Sequence, residues 1–216
     1  LLQLPLSERR SRLERFFSRH QGNRIVKLSP ATPEVATAEQ WMRTLGSSLD
    51  GIIAKRLDAP YASGERTAMQ KVKRLRTADC VVGGFRWASK GGEVGSLLLG
   101  LYDEDGLLHH VGFTSAFVAE DRAALKDIVK PLMGGSGFSG RAPGGPSRWS
   151  TERSGEWQPL APKLVCEVRF DHFSGGRFRH GTKFLRWRPD KAPAQCTFEQ
   201  VHPARGKGLA DFGLAA

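Results

Sequence analysis

Asp79-Cys80-Val81-Val82-Gly83-Gly84-Phe85-Arg86-Trp87-Ala88 is the stretch on which the fold turns. Rich in β-branched and aromatic residues, it reads as a strand from Cys80 to Ala88, followed by two more strand-like runs, Glu93 to Tyr102 and Leu107 to Thr114. Glycines separate the first two, and Asp103-Glu104-Asp105-Gly106 has the chemistry of a hairpin turn between the second and third. Ala119 to Leu132 carries Leu125, Ile128, Val129 and Leu132 on one helical face. Lys163 to Phe170 and Arg177 to Arg188 supply two further strands. Five strands with a helix after the third predict a small closed sheet of the oligonucleotide-binding (OB) barrel type. The Gly-, Pro- and Ser-rich stretch from about Gly134 to Pro159 reads as loop. Within it, Gly135-Ser136-Gly137-Phe138-Ser139-Gly140 has dinucleotide-turn spacing, but it follows a helix and leads into prolines, so it reads as a flexible loop.

Upstream, helices and strands alternate, as in an α/β or α+β layer. Ser7 is a candidate cap for a charged helix to about Arg19, with Leu13, Phe16 and Phe17 on its apolar face. Arg24 to Leu28 alternates like a strand, broken by Ser29-Pro30-Ala31-Thr32-Pro33. Thr37 and Gln40 have capping-box spacing for a helix to about Leu45, stopped at Gly46. Asp50 to Arg56 and Met69 to Arg74 then read as strands. The change of pattern places a domain boundary near residue 78, giving units 1–78 and 79–201 and a tail, 202–216.

Charge narrows the partner. Lys and Arg total 33 against 22 Asp and Glu, a net charge of +11, with a pI near 10.1. Such an excess favours a polyanion. No apolar run approaches the roughly 20 residues of a membrane span, and no signal peptide is visible, so nucleic acid is preferred over a membrane surface. Cys80, Cys166 and Cys196 are far apart and show no zinc spacing, which predicts reduced thiols in a cytosolic protein. His109 and His110 are adjacent, so on a strand they face opposite ways and make a poor ligand pair.

The chemistry-bearing residues fall in three places. Lys71 and Lys73 are two apart and share one face of a strand, with Val72 pointing the other way, into a core. Two ammonium groups on one face suit a bound phosphate. In Asp50-Gly51-Ile52-Ile53-Ala54-Lys55, strict alternation sends Asp50 and Lys55 to opposite faces; both reach one site only if Gly51 bends the strand entrance. A carboxylate there could hold a hard divalent cation beside phosphates. In Phe184-Leu185-Arg186-Trp187-Arg188-Pro189-Asp190-Lys191, Arg186 and Arg188 share a face, and Pro189 ends the strand with Asp190 and Lys191 at its tip. Basic residues from Lys163 to Lys191 are interleaved with Phe170, Phe173, Phe178, Phe184 and Trp187, a mixture common on nucleic-acid-binding barrels.

Together these elements resemble the ATP-dependent DNA ligases, within the covalent nucleotidyltransferases. Asp50 to Lys55 looks like the family's fourth motif, with Asp where Glu is common. Lys71-Val72-Lys73 looks like the fifth and Arg186 to Lys191 like the sixth. The flanks Arg56-Leu57-Asp58-Ala59-Pro60-Tyr61 and Ser63-Gly64-Glu65-Arg66 are similar to bacterial ligases of the C and D types. The implied fold is α+β: part of an adenylation domain followed by a five-stranded OB barrel. The resemblance implies that Lys71 and Lys73 contact the adenylate phosphate and that Asp50 and Lys55 line the nucleotide pocket with Mg²⁺. It implies that Arg186, Arg188, Asp190 and Lys191 orient the pyrophosphate of ATP, and that Asp79 marks the hinge. Nicked double-stranded DNA is the implied partner, for a monomer in the bacterial cytoplasm, associated with the nucleoid.

One family element is missing. The nucleophile is a lysine in Lys-x-Asp-Gly, and the only Asp-Gly pairs here are Asp50-Gly51 and Asp105-Gly106, neither in that context. The sequence therefore reads as lacking the first half of the adenylation domain, with a separate N-terminal half or fused repair domains as candidate partners. Two rival readings follow: a non-catalytic DNA-binding or split-ligase subunit, and an RNA ligase or capping-type nucleotidyltransferase.

Overall fold

A computed structural model describes residues 1–20, 26–44, 50–89, 92–144 and 156–202, with backbone only at 120 and 121. The described residues separate into two compact units, one up to Arg74 and the other Leu75–His202.

In the first unit, α1 spans Leu6–Arg19, α2 spans Val35–Thr44, and β1 (Gly51–Lys55) pairs antiparallel with β2 (Met69–Lys73). Ser7 does not cap α1: the N-cap is Pro5, with no side-chain bond. The connector after β1 takes over the task, because Leu6 N–H donates to the Ala59 carbonyl and Ser7 N–H to that of Leu57, both at 3.0 Å. Those two bonds satisfy N–H groups that a helix start leaves open. The expected apolar face is not covered either, with Leu13 46% and Phe16 59% exposed. Thr37 lies inside α2 and not at its cap; the turn before the helix is closed by Glu34 N–H donating to Thr32 Oγ1 at 3.1 Å. Residues 26–30 form no strand; the rest of the expected strand, with Arg24, and the helix stop at Leu45–Gly46 lie outside the described residues.

The second unit carries the strands of the expected barrel, though not as a fully closed sheet. Its strands are β3 (Arg76–Trp87), β4 (Val94–Tyr102), β5 (Leu108–Ala116), β6 (Gln158–Pro159), β7 (Val165–Phe170), β8 (Phe173–Ser174), β9 (Arg177–Phe178) and β10 (Thr182–Trp187). Pairing runs β3–β4–β5–β10–β7 and back to β3, antiparallel everywhere except β5–β10. That parallel seam holds only two register pairs, so the ring is partly open there. The helix α3 (Ala119–Val129), extended by a 3₁₀ turn over Lys130–Leu132, follows the third barrel strand as expected, with Leu125 and Val129 buried. The strand expected over Arg177–Arg188 is interrupted. A small hairpin, β8–β9, turns at Gly175 and Gly176, both with positive φ, before β10 begins.

Cys80 to Phe85 is buried without alternation. Sequence pattern alone does not explain this; the cover on the second face does. A Cβ on Gly83 would lie 2.7 Å from the Phe138 ring, and one on Gly84 would lie 2.5 Å from Trp157. Phe138 sits in the stretch read as a flexible loop, yet it is only 8% exposed and its segment is pinned. Gly137 N–H donates to the Leu160 carbonyl and Gly140 N–H to that of Leu108, both at 3.0 Å. The glycines there and on β3 and β4 serve close packing of an aromatic plug and not mobility.

Candidate nucleotide and nucleic-acid site

The hairpin register places the lysines of the first unit. Gly51 faces Lys73, Ile53 faces Lys71 and Lys55 faces Met69. Directly opposed residues share a face, so Lys55, Lys71 and Lys73 all lie on one side of the two-stranded sheet. Asp50 joins them: its carboxylate accepts from Lys71 Nζ at 3.1 Å, while its carbonyl accepts from Arg74 N–H at 3.0 Å. The expected bend exists at Gly51, with φ of +150°. A Cβ there would sit 2.0 Å from the Val72 carbonyl oxygen, so the strand entrance needs glycine on both counts. Val72, expected in a core, is 39% exposed, and Ile53 on the opposite face is 48% exposed. Among the described residues, a two-stranded hairpin offers too little cover to bury them.

In the second unit the candidate residues gather around Asp79. Arg188 Nη1 donates to its carboxylate at 2.9 and 3.1 Å, and Lys191 Nζ donates at 2.8 Å. Arg188 also donates from Nε and Nη2 to Asp190, at 2.9 and 2.8 Å. Arg186 Nε donates to Glu167 at 2.7 Å. Asp79 is opposite Glu167 on β7, which is opposite Arg186 on β10, so acid, acid and base stand in a row across three strands. The Arg188 hydrogen bonds hold the Asp190 carboxyl down to about 2 and raise Arg188 in return.

A β-bulge produces this arrangement. Phe184 pairs with Val168 and Arg186 with Glu167, leaving Leu185 as the extra residue. Strict alternation from the buried Phe184 would turn Arg186 inward; the bulge turns it out and brings Trp187 toward the core, edge-on to Phe184 at 5.2 Å. Arg186 is then 61% exposed, whereas Arg188 and Lys191 are 20% exposed against Asp79 at 12%. The two arginines are therefore unequal. Arg188 is held between two acids, and Arg186, bound to Glu167 through Nε, is largely exposed.

Sequence reading missed Glu167 and Gln200. An acid within Val165-Cys166-Glu167-Val168 was a usable signal. Gln200 gave none. It lies in a 3₁₀ turn over Phe198–Val201 and grips the Asp79 backbone with its amide. On the same unit, His110 has a buried Nε2 with no hydrogen-bond partner among the described residues and lies edge-on to Phe138. Burial, reinforced by Arg86, Arg141 and Arg177, pushes its imidazole down to about 4. Cys80 and Cys166 are opposed across β3 and β7, and they and Cys196 are free and fully buried, which raises all three thiols. Among the described residues no group of three His, Cys, Asp or Glu side chains is placed to hold a metal ion.

Comparison with known proteins bears on the family of the chain. Residues 1–73 match the family model described as ATP dependent DNA ligase domain, and residues 90–191 match that described as ATP dependent DNA ligase C terminal region. The chain belongs to the ATP-dependent DNA ligase family. It is 42% identical to DNA ligase C1 of Mycolicibacterium smegmatis over 207 residues, covering 93% of this chain and 58% of that protein. It is 38% identical to DNA ligase C of Mycobacterium tuberculosis, covering 96% and 62% respectively. Among solved structures it is similar to the ligase domain of LigD from M. tuberculosis, with TM-score 0.51 and 27% identity over 91% of this chain and 61% of that one. The chain thus spans about three-fifths of the length of these curated relatives.

Proposed function

We propose that this chain is the phosphate-handling and DNA-holding part of an ATP-dependent DNA ligase that seals nicks in double-stranded DNA. The observation that carries the reading is the one-sided placement of Lys55, Lys71 and Lys73 with Asp50, opened by the Gly51 bend, in a chain of this family. In such an enzyme a lysine attacks the α-phosphate of ATP and pyrophosphate leaves. AMP then passes to the 5′-phosphate of the nick, and the 3′-hydroxyl displaces AMP to form the phosphodiester. Each step concentrates negative charge on phosphorus-bound oxygens, which positioned cations stabilise. Lys71 and Lys73 serve the adenylate phosphate, Lys55 the nucleotide pocket, and Arg186, Arg188 and Lys191, with Asp190, serve pyrophosphate or DNA phosphates. Asp79 anchors the start of the barrel at the proposed hinge.

Magnesium fits this set in one way only. Asp50 is a single carboxylate already paired with Lys71, so the protein supplies no cage; Mg²⁺ would be held by Asp50 together with substrate phosphates and water, its usual mode. There it would neutralise phosphate charge. Without Lys-x-Asp-Gly, this chain does not form a lysyl-adenylate by itself. The exposed Leu13, Phe16, Ile53 and Val72 favour a working form in which a further ligase segment covers the first unit, whether fused or as a separate subunit. The bacterial cytoplasm and nucleoid are the setting this substrate implies.

The test is a nicked duplex carrying a pre-adenylated 5′-phosphate, offered to the chain with Mg²⁺. Binding that weakens steeply with salt is expected, because phosphate contacts release counterions. Sealing would assign the final step to this chain, and salt-independent binding would refute the phosphate-contact reading. Radioactive ATP is expected to leave the chain unlabelled; a labelled chain would overturn the claim that it lacks a nucleophile.

A further inference from the structure

We propose that Gln200 is a positioning residue for the cationic pair Arg188 and Lys191, acting on them through Asp79; its functional meaning rests on the reading of that pair as phosphate ligands. The geometry is specific. Gln200 Oε1 accepts from Asp79 N–H at 2.9 Å, and Gln200 Nε2 donates to the Asp79 carbonyl at 3.1 Å and to that of Thr197 at 3.3 Å. One side-chain amide thus serves both backbone groups of the residue whose carboxylate holds both cations.

The topology explains why such a clamp is needed at this position. β3 pairs with β7 from Arg76 to Val81, but its pairing with β4 begins only at Val81. Before that point no strand among the described residues lies beside the other edge of β3, and the Asp79 N–H and carbonyl are directed to that edge. A primary amide presents the same donor and acceptor as a peptide group, so Gln200 replaces the missing strand for one residue. It is itself held in place: Arg76 Nη2 donates to the Gln200 carbonyl at 3.3 Å and to the His202 carbonyl at 3.1 Å. With the Asp79 backbone fixed, its carboxylate faces Arg188 and Lys191 at 2.8–2.9 Å. Without the amide, Asp79 is held from the β7 side alone, and its carboxylate is less firmly aimed at its partners.

The experiment uses the whole 216-residue chain with ¹⁵N-labelled side chains and compares wild type with Gln200→Leu, of similar size but without the amide. Solvent exchange of the Lys191 Nζ protons, held by Asp79, is expected to speed about tenfold. The Arg186 Nε–H, held by Glu167, is the internal control and is expected to stay unchanged. Equal rates at Lys191 in the two proteins would overturn the proposal; so would equal acceleration at Arg186, which would mean general loosening of the barrel. Gln200→Glu keeps the acceptor for Asp79 N–H and loses the donor. It supplies the test if the leucine variant does not fold, and a wild-type Lys191 rate in it would equally refute the clamp. Titration with inorganic pyrophosphate separates the two layers of argument. Shifts at Arg188 and Lys191 in wild type, weakened about fivefold in Gln200→Leu, support both. No shift in wild type refutes the phosphate-ligand reading, while the exchange result still decides the role of Gln200.

Discussion

Acid should destabilise the barrel through one side chain, His110. Its Nε2 is buried against the Phe138 ring, with Arg86, Arg141 and Arg177 as the charged neighbours, and its imidazole is pushed from 6.5 down to about 4. The folded state therefore resists a proton that the unfolded chain accepts. Between pH 6.5 and 4 the unfolded state binds more protons, so stability is present above pH 6.5 and is lost as pH falls through that window. Taking those two values, the loss between pH 7 and pH 4.5 is about 2 kcal/mol. For a domain of this size that lowers the urea midpoint by about 1 M. The assay is urea unfolding at the two pH values, followed by tryptophan fluorescence in a Trp41→Phe background, so that barrel tryptophans such as Trp87, Trp157 and Trp187 report. His110→Gln, neutral at both pH values, is expected to remove most of the difference whatever its own stability at pH 7. The same pH loss in His110→Gln as in the parent would refute the reasoning. Asp103 and Asp190 act in a separate window: hydrogen bonds from His109 and Arg188 lower their carboxyls, so their contribution goes only below about pH 4.

Further outcomes follow from the same geometry. Asp79→Ala is expected to cost the barrel about 2–3 kcal/mol by urea unfolding, because it strands Lys191 in a largely buried position. A cost indistinguishable from zero would mean that Lys191 relaxes freely into water. Gly51→Ala puts a methyl on the Val72 carbonyl in a left-handed backbone, and is expected to abolish amide-exchange protection at Arg74, whose N–H bonds to Asp50. Retained protection there would show that the entrance tolerates a side chain. A thiol reagent is expected to find no reactive cysteine in the native chain and three after denaturation, since Cys80, Cys166 and Cys196 are fully buried. Rapid native labelling would contradict that burial.

The barrel was legible because its strands carry their own periodicity and its turns their own chemistry. Asp103-Glu104-Asp105-Gly106 closes the hairpin as read, with Asp103 accepting from the Asp105 and Leu107 N–H groups. Helix starts were less legible. Ser7 and Thr37 are plausible caps by type, but α1 is satisfied by backbone of a connector some fifty residues away, a long-range solution that local pattern cannot register. The loop around Phe138 misled for a related reason. Its glycines signal permissive backbone, yet here they and Gly83 and Gly84 mark places where one ring or chain approaches another. The shared face of Lys71 and Lys73 was readable from their spacing, whereas the placement of Lys55 beside them needed the hairpin register. Gln200 was not readable, since nothing in a lone glutamine distinguishes a strand surrogate from a surface residue.

The bulge at Leu185 decides how the second cationic cluster can work. Spacing alone makes Arg186 and Arg188 equivalent, two forks on one strand face. The structure gives Arg188 two acidic partners and partial burial, and gives Arg186 one partner and a solvent-facing end. A phosphate approaching this face therefore meets Arg186 first, and gains it without removing any cation from its acid. Engaging Arg188 requires Asp190 to let go, because Asp79 is the more buried acid and is shared with Lys191. Asp190, 62% exposed, returns to water at little cost, whereas withdrawing Asp79 would leave two cations unpaired in a half-buried site. On the proposed phosphate-ligand reading, the cluster exchanges its outer acid for a phosphate while keeping its inner one, with Asp79 as the counter-charge that stays in place.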